Sequence, residues 1–464
     1  MFQRVFIWEV LCKKEKYYCL SPLEQAWGHQ AEETFWGLIG ARMRGKKLVI
    51  IARKETLFRK WIEKFIKDRP SRIGNREFFE LESPGMIVPH REIVGYDIFA
   101  VILDSYYLCL RIVRSLLYRL TRFDLFTVNK EPHRYAFQIP RFGYKALFNP
   151  DEKREFSLSL AKSYEWERFV FERYNICLSK EKERAGDEIK ERMGIPRDAE
   201  YVCLHVRDLG FYAGSFYSVR DDYRCADIKD YRKMVESLNR RGVWVVRMGD
   251  PLMKPAPFIS DKFIDYPFSP YKSELMDLYL MEHCKFFVGT DSGPNAVAWM
   301  FQKNIVFVNL TDWTEAIPIF HGNLSLLKYY YSISRERFLS IRELLEEPYY
   351  ISRLFSPSRS NYDYIVVENS EEEIDVVVEE MLNQDADYKY TDLQDEFVRK
   401  RRVLYESWIT TDPFFKENIW NFYRSSSRLT NQGTLGREFL RQNWEYGDHL
   451  KKMTADFKKA GLRR

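Results

Sequence analysis

Short apolar runs alternate with amphipathic segments over most of the chain, and this alternation predicts an α/β protein. Runs in the second half predict strands at 202–206, 243–247, 262–266, 285–289, 304–308 and 364–368. Helical patterns separate several of these strands, at about 228–240, 273–283 and 295–301. Because strands joined by helical crossovers pair in parallel, we expect a Rossmann-like sheet in this half.

The first half shows the same alternation. Apolar runs at 48–52 and 86–90 predict strands, with a helical pattern over 55–67 between them. Gly28 predicts a turn from an early strand into a helix, where we expect a substrate-facing loop. The charge-dense segment 165–193 has a helical pattern that breaks near Gly186. We interpret this segment as the crossing between two domains.

These patterns divide the chain into three parts. We expect a Rossmann-like domain over 1–165, a second one over 166–370, and a deep cleft between the two. Ser370 and Glu373 have the spacing of a capping box and predict the start of a helix. The remaining part, 371–464, is mainly helical in pattern, and we expect it to pack back on the first domain.

Composition narrows the class of protein. A net charge of +5, from 73 basic and 68 acidic residues, is too balanced to indicate nucleic-acid binding. The seven cysteines form no CxxC pair and have no matching histidine spacing, so they predict neither a zinc site nor a disulfide framework. This cysteine usage fits a reducing cytoplasm.

Two apolar stretches bear on membranes. The N-terminal run contains Arg4 and Glu9 and lacks a small-residue cleavage site, so it predicts mature protein rather than a signal peptide. The longest stretch, 98–120, is interrupted by Asp104, Arg111 and Arg114, which argues against a transmembrane helix. These arginines predict either a helix face in solvent or a contact with anionic lipid.

The most informative stretch is 286–298, FFVGTDSGPNAVA, which predicts a strand, a tight turn and a helix N-terminus. Free N–H groups and the dipole at a helix N-terminus attract phosphate. The turn therefore predicts an anion site, and Asp291 is assigned to orienting the loop because a carboxylate beside phosphate is unfavourable. The candidate ligands are Thr290, Ser292, Gly293 and Asn295.

Polar residues also follow other strands of the second half. They lie at the carboxyl ends of these strands, which is where a parallel sheet binds its ligands. Arg207 is a candidate for a diphosphate, with a loop ion pair to Asp208 or Asp227 as the alternative. His205 is a candidate for a ribose hydroxyl or a phosphate oxygen. Arg224 is a further candidate, with a solvated loop charge as the alternative, and Glu274 is another, with a surface helix acid as the alternative. Arg247 and Asp265 follow two more strands and are candidates to line the same cleft.

A metal is not expected. The only clear Asp-x-Asp, at 385–387, lies in a polar linker, and the chain has no HExxH and no Walker lysine. Arg207 and a helix N-terminus can replace a divalent ion at a leaving diphosphate. We therefore expect no metal and no cofactor besides a nucleotide-type substrate.

Five segments together resemble a family of bacterial glycosyltransferases of surface-polysaccharide loci, which make capsule or lipopolysaccharide. They are VCLHVRDLGFY, DYRCADIKDY, RGVWVVRMGDP, IDYPFSPYKSELMDLYLMEHCKFFVGTDSG and VVENSEEEI, and the resemblance is strongest over 194–373. More distantly, GTDSGP is similar to the donor site of heptosyltransferases, and HVR to the HxR element of fucosyltransferases. Fucosyltransferases commonly have a second arginine after HxR, whereas this chain has Asp208 at that position.

The resemblance implies a glycosyltransferase B-type fold, with the acceptor on the first domain and a nucleotide sugar on the second. The implied reaction is a metal-independent, inverting transfer to a hydroxyl of a glycan or lipid-linked glycan. Such a reaction needs a general base on the first domain. Glu33 is the candidate, with Glu32 and His29 as alternatives and a solvated helix acid as the competing interpretation.

The implied location is the cytoplasm or, peripherally, the inner face of the cytoplasmic membrane. A non-catalytic protein that binds sugar nucleotides or glycans in a polysaccharide assembly complex is the rival interpretation. Nucleic acid is not an expected partner, because the chain shows no recognition motif.

Overall fold

The computed structural model describes residues 4–13, 15–20, 27–52, 75–121, 167–208, 210, 222–311, 318–346, 364–411 and 431–461. The chain divides into two compact units. The first comprises Met1–Ser157, Arg168–Arg184 and Trp299–Phe301, and the second Leu158–Glu167, Ala185–Ala298 and Gln302–Arg464. The domain boundaries at 165 and 370 that the sequence suggests stay a prediction.

The second unit is built around a parallel sheet of seven strands. In chain order these are β5 (Tyr201–His205), β6 (Trp244–Arg247), β7 (Phe263–Asp265), β8 (Phe286–Gly289), β9 (Asn304–Leu310), β10 (Leu324–Leu327) and β14 (Thr434–Leu435). Every residue of β5, β8, β10 and β14 is buried. A parallel sheet covered on both faces needs such continuous apolar strands.

Helices connect and cover these strands. They are α4 (Lys180–Arg192), α5 (Arg232–Arg240), α6 (Glu274–His283), α7 (Gly293–Met300), α8 (Ile341–Glu346), α9 (Glu371–Leu382), α10 (Asp392–Thr411), α11 (Arg437–Asn443) and α12 (Asp448–Lys459). Short 3₁₀ helices lie at Asp222–Arg224, Ile228–Tyr231 and Tyr266–Phe268. Because a crossover helix runs against its strands, its N-terminus lies at the carboxyl edge of the sheet.

The strand order reverses next to β5. The sheet has the order β14-β10-β9-β8-β5-β6-β7, so the chain first builds outward from β5 to β7 and then returns to β8 on the other side of β5. At their carboxyl ends, His205 of β5 lies opposite Gly289 of β8. Ligands of open parallel sheets bind in the crevice at such a switch point.

The α/β class and the parallel, Rossmann-like sheet are confirmed. One predicted strand, 364–368, was placed in the wrong sheet. β13 (Tyr364–Val367) instead pairs antiparallel with β11 (Tyr329–Ser332), which also pairs with β12 (Arg337–Phe338). The main sheet uses β10 and β14 in addition, and neither was predicted.

The helical extension is part of the second unit. The predicted capping box is present, with Ser370 and Glu373 bonding each other's backbone at the start of α9. α9 packs against α5, β9 and β10, and β14 pairs with β10. The described residues of 371–464 thus belong to the second unit and complete its sheet. The expected packing of this part on the first domain stays a prediction.

In the described part of the first unit, four short strands form two parallel pairs. β1 (Val5–Phe6) pairs with β4 (Ile93–Val94), and β2 (Tyr17–Leu20) pairs with β3 (Lys47–Ile50). Its helices are α1 (Ile7–Cys12), α2 (Trp27–Met43) and α3 (Tyr96–Thr121), with 3₁₀ turns at Arg76–Glu80 and His90–Glu92.

Several predictions for the first unit can be compared with these elements. β3 confirms the strand expected at 48–52, and the run 86–90 contributes a single parallel bridge between Ile87 and Leu48. Gly28 lies within the first turn of α2 rather than in a turn before it. The helix expected at 55–67 lies outside the described residues.

Gly186 does not break the charged helix. α4 continues through it, and a Cβ at this position would come 2.1 Å from the ring of Tyr279. The glycine thus permits close packing of α4 on α6. Among the helices that the structure describes, none combines the length and apolar character needed to cross a membrane.

Candidate functional site

The turn after β8 lies at the switch point and leads directly into α7. The strand must end in glycine, because a Cβ on Gly289 would come 2.5 Å from the ring of Phe287. Asn295 holds the turn: its Nδ2 donates to the carbonyl oxygen of Thr290 (2.9 Å), and its backbone N–H donates to that of Ser292 (3.2 Å). The predicted strand, turn and helix N-terminus are therefore present.

Two side-chain atoms of this turn are buried without a hydrogen-bond partner among protein atoms of the described chain: Ser292 Oγ and Asn295 Oδ1. The Asn295 residue is only 4% exposed. Leaving a buried polar atom unsatisfied costs about 1–3 kcal/mol, so such atoms call for a ligand or water. The hydroxyl can donate to an anion, and the amide oxygen can accept from a hydroxyl group.

Arg207 lies across the crevice from this turn and is 6% exposed. Its backbone N–H donates to Thr290 Oγ1 (2.9 Å), and the N–H of Thr290 donates to the carbonyl oxygen of His205 (3.1 Å). These bonds join the ends of β5 and β8. The site therefore combines a buried guanidinium and a helix N-terminus, both of which favour an anion.

His205 is neutral at physiological pH. Burial lowers the pKa of His205 to about 4; the Met248 carbonyl opposes this shift, and the neighbouring Arg247 and Arg207 add to it. Nδ1 lies 3.1 Å from the carbonyl oxygen of Met248, to which it must donate, so Nε2 is the acceptor. An acceptor suits a ribose hydroxyl better than a phosphate oxygen.

Arg224 also contacts the turn after β8, through Asp291. Its Nε lies 3.0 Å from Asp291 Oδ2, and its Nη2 donates to the Asp291 carbonyl oxygen at 2.9 Å. Asp291 is thus paired with a cation, which agrees with the expectation that this residue orients the loop. Arg224 reaches the predicted anion site through this carboxylate.

Arg247 and Asp265 pair with each other. They lie opposite one another on β6 and β7, and Arg247 Nη1 lies 3.0 Å from Asp265 Oδ1. Asp265 also accepts from the backbone N–H of Ala256 (2.8 Å), and Arg247 is 1% exposed. This geometry favours a structural role for both residues. Their role as ligands stays a prediction.

Glu274, Asp208 and Gly293 also belong to the second unit, and they differ in burial and in their hydrogen bonds. Glu274 is half-buried in the first turn of α6, after the cap residue Ser273. Asp208 accepts from the N–H groups of Gly210 and Lys254, both at 2.8 Å. Gly293 is exposed at the first residue of α7.

The predicted general bases lie on α2 in the first unit. Glu33 is 8% exposed, and Glu32 is half-buried. The side chain of His29 lies outside the described part of the molecule. From Gln30 to Ala41, α2 is buried on nearly all sides, so the interpretation of Glu33 as a solvated helix acid is wrong.

Two residues near the site, Cys225 and Lys328, were not among those predicted from the sequence. The Arg207 guanidinium hydrogen-bonds the Cys225 thiol; burial raises the pKa of this thiol more than the arginine lowers it. Lys328 is 4% exposed and donates to the Cys225 carbonyl oxygen (2.6 Å). Lys328 directly follows β10, so the rule that polar residues at strand ends line a site would have found it.

Comparison with known proteins gives structural likeness only. No protein-family model and no curated protein matches the chain. The glycosyl transferase family 9 protein of Veillonella parvula matches with 9% identity and a TM-score of 0.30, over 64% of this chain and 81% of that protein. The ADP-heptose lipopolysaccharide heptosyltransferase II of E. coli matches with 12% identity and a TM-score of 0.31, over 63% and 84%.

A third solved structure is the dodecameric iron-containing heptosyltransferase TibC in complex with ADP-D-β-D-heptose. It matches with 18% identity and a TM-score of 0.17, and the match covers 25% of this chain and 29% of TibC. These matches confirm the distant similarity to heptosyltransferases that the sequence indicated. At these values of identity and TM-score, the likeness does not define a family.

Proposed function

We propose that the protein is a glycosyltransferase of the B-type fold, which transfers a sugar from a nucleoside-diphosphate sugar to a hydroxyl of a glycan acceptor. The observation that supports this most is the pair of unsatisfied buried atoms, Ser292 Oγ and Asn295 Oδ1, at the switch point of a parallel sheet. Arg207 lies beside them and supplies a buried positive charge. A diphosphate can accept from the Ser292 hydroxyl and pair with the Arg207 charge, and a neighbouring ribose or sugar hydroxyl can donate to Asn295 Oδ1.

In the proposed reaction, the acceptor oxygen attacks the anomeric carbon and the bond from that carbon to the diphosphate oxygen breaks. The electron pair of that bond leaves with the nucleoside diphosphate. Arg207, the Ser292 hydroxyl and the N-terminus of α7 stabilise the negative charge that develops there. Nε2 of neutral His205 accepts from a ribose hydroxyl. We propose that the reaction is metal-independent and inverting.

The acceptor proton passes to a carboxylate of the first domain, for which we propose Glu33. Glu32 and His29 remain the alternatives. Glu33→Gln should abolish transfer and leave nucleotide binding intact, whereas Glu32→Gln should retain transfer. Full turnover by Glu33→Gln would exclude the assignment.

We propose a role in bacterial surface-polysaccharide synthesis, at the inner face of the cytoplasmic membrane. Among its described residues, the first unit exposes six large apolar side chains around β1, α1, β4 and α3. They are Phe6, Trp8, Val94, Ile98, Ile102 and Tyr106. Aromatic and aliphatic side chains of this kind insert at the boundary between lipid headgroups and acyl chains.

Flotation with phosphatidylglycerol vesicles tests this location. The wild type should float with the vesicles, and Trp8→Ser combined with Ile102→Ser should remain below. Val403→Ser, at an apolar residue of the second unit that is 55% exposed, is the matched control. Equal flotation of all three proteins, or of none, would contradict peripheral binding through this surface.

A thermal-shift panel of UDP, GDP, ADP and CMP sugars tests the donor class. A ligand at 100 times its Kd stabilises the folded state by about 2.7 kcal/mol, so the preferred donor should raise the melting temperature. Arg207→Ala should remove this shift, while Arg232→Ala, at an exposed arginine paired with Glu236, should keep it. A full shift in Arg207→Ala would place the phosphate elsewhere.

The alternative function is a non-catalytic protein that binds sugar nucleotides. One observation favours it: the turn after β8 carries two buried atoms that a ligand can satisfy, whereas the candidate base Glu33 is buried in α2. Labelled sugar nucleotides separate the two functions. Binding without hydrolysis or transfer to any glycan acceptor supports the alternative, and transfer that persists in EDTA supports the metal-independent enzyme.

A further inference from the structure

The segment 222–226 crosses the carboxyl edge of the sheet and is attached to three strand ends. The N–H of Ala226 donates to the carbonyl oxygen of Arg207, which follows β5, at 3.1 Å. Thr311, after β9, donates through Oγ1 to the carbonyl oxygen of Tyr223 at 2.9 Å. Lys328, after β10, donates to the carbonyl oxygen of Cys225 at 2.6 Å. We call this stretch the crossing segment.

Arg224 lies in the middle of the crossing segment and contacts the turn after β8. Its guanidinium pairs with the Asp291 carboxylate at 3.0 Å and donates to the Asp291 carbonyl oxygen at 2.9 Å. Both side chains are about three-quarters buried, with 24% and 26% exposure. The ion pair holds the side chain of Asp291, and the hydrogen bond holds its backbone.

The charge of Asp291 opposes the site that it adjoins. The carboxylate belongs to the residue directly before Ser292, so a diphosphate bound at that hydroxyl would adjoin a negative charge. In partly buried surroundings, such a repulsion changes an equilibrium constant by one to two orders of magnitude. The Arg224 guanidinium cancels this charge while it holds the turn in place.

We propose that Arg224 is a positioning residue for the donor site, which acts through Asp291 rather than by binding phosphate itself; this inference rests on the proposed function. Arg224 allows the turn to bind an anion, because it neutralises the charge of Asp291 and fixes the backbone of that residue. Because the crossing segment also bonds Arg207, it holds both sides of the anion site in one arrangement. Direct binding of phosphate by Arg224 is the competing role.

A double-mutant cycle separates the two roles. The proteins are the wild type, Arg224→Ala, Asp291→Asn and the double variant, and calorimetry measures their Kd for UDP, GDP, ADP and inorganic pyrophosphate. Arg224→Ala should weaken binding about 30-fold, because a bare carboxylate then faces the anion. Asp291→Asn should bind within about threefold of the wild type or more tightly, because it removes that charge.

The double variant decides the question. If Arg224 acts through Asp291, the double variant should recover at least about tenfold of the affinity lost in Arg224→Ala, because no carboxylate remains to be neutralised. If Arg224 binds phosphate directly, the double variant should still bind at least about tenfold more weakly than Asp291→Asn, because the lost contact does not depend on the carboxylate, and the proposal falls. Arg232→Ala is the matched control and should bind like the wild type.

Asp291→Asn keeps the test decisive if Arg224→Ala fails to fold. This variant removes a negative charge beside the anion, so a tenfold weaker Kd in it would overturn the proposal. The ligands also separate this inference from the proposed function. If pyrophosphate shows the recovery and no nucleotide binds, the inference stands and the proposed function fails.

If a nucleoside diphosphate binds the wild type and the double variant shows no recovery, the proposed function stands and the inference fails. If neither a nucleotide nor pyrophosphate binds the wild type, both are overturned.

Discussion

Acid should weaken the fold through His205. This side chain is buried, and burial lowers its pKa from 6.5 to about 4. The unfolded chain therefore binds a proton between these two pH values that the folded protein does not bind. Stability falls as the pH drops through this window, and the loss is complete below about pH 4.

The magnitude follows from the two pKa values. At pH 4.5, their difference costs the folded state about 2.5 kcal/mol, and at pH 7 it costs only about 0.2 kcal/mol. His205→Asn removes the titrating ring and keeps an N–H donor for the Met248 carbonyl oxygen. The variant should therefore lose about 2 kcal/mol less stability than the wild type between pH 7 and pH 4.5.

Urea unfolding at both pH values measures this difference for the wild type and the variant. Carboxylates and other histidines titrate in both proteins, so their contributions cancel in the comparison. Carbon-13 labelling of histidine then reports the pKa of His205 directly by NMR. Equal acid losses in the two proteins, or titration of His205 near pH 6.5, would refute the reasoning.

Three further predictions concern the residues that build the site. Gly289→Ala should destabilise the protein by about 1–3 kcal/mol in urea unfolding, because its Cβ overlaps a phenylalanine ring of the same strand. Gly447→Ala, where the nearest atom is 3.9 Å away, is its control, and equal losses would contradict the clash. Asp265→Asn should cost about 3 kcal/mol by leaving Arg247 buried without its carboxylate. Adding Arg247→Met should restore much of that stability, and no recovery would mean that the pair is not the cause. Ser370→Ala should cost about 1 kcal/mol by removing the cap of α9, and an unchanged urea midpoint would argue against the capping box.

The ends of the buried strands could be predicted from the sequence. A parallel strand covered on both faces must be apolar throughout, so the first polar residues after it mark the carboxyl edge. His205, Arg207 and the turn at Thr290 were found in this way, and the structure brings them together. Local patterns thus defined the core of the candidate site.

The partners of these residues could not be predicted. The pairing of Arg247 with Asp265 depends on the register of β6 and β7, and that of Arg224 with Asp291 depends on the path of the crossing segment. Neither is a property of local sequence. Strand 364–367 has the same apolar pattern as the sheet strands, so only its tertiary partners show that it joins another sheet.

The pairing of β14 with β10 has a consequence for how the protein is made. Leu324 of β10 pairs with Thr434, about 110 residues later in the chain. Until the ribosome has delivered that late segment, the outer edge of β10 has no strand to cover it and can pair with a strand of another chain. The sheet domain therefore completes its folding only after residue 435 has emerged, and premature termination before that point should yield aggregating protein.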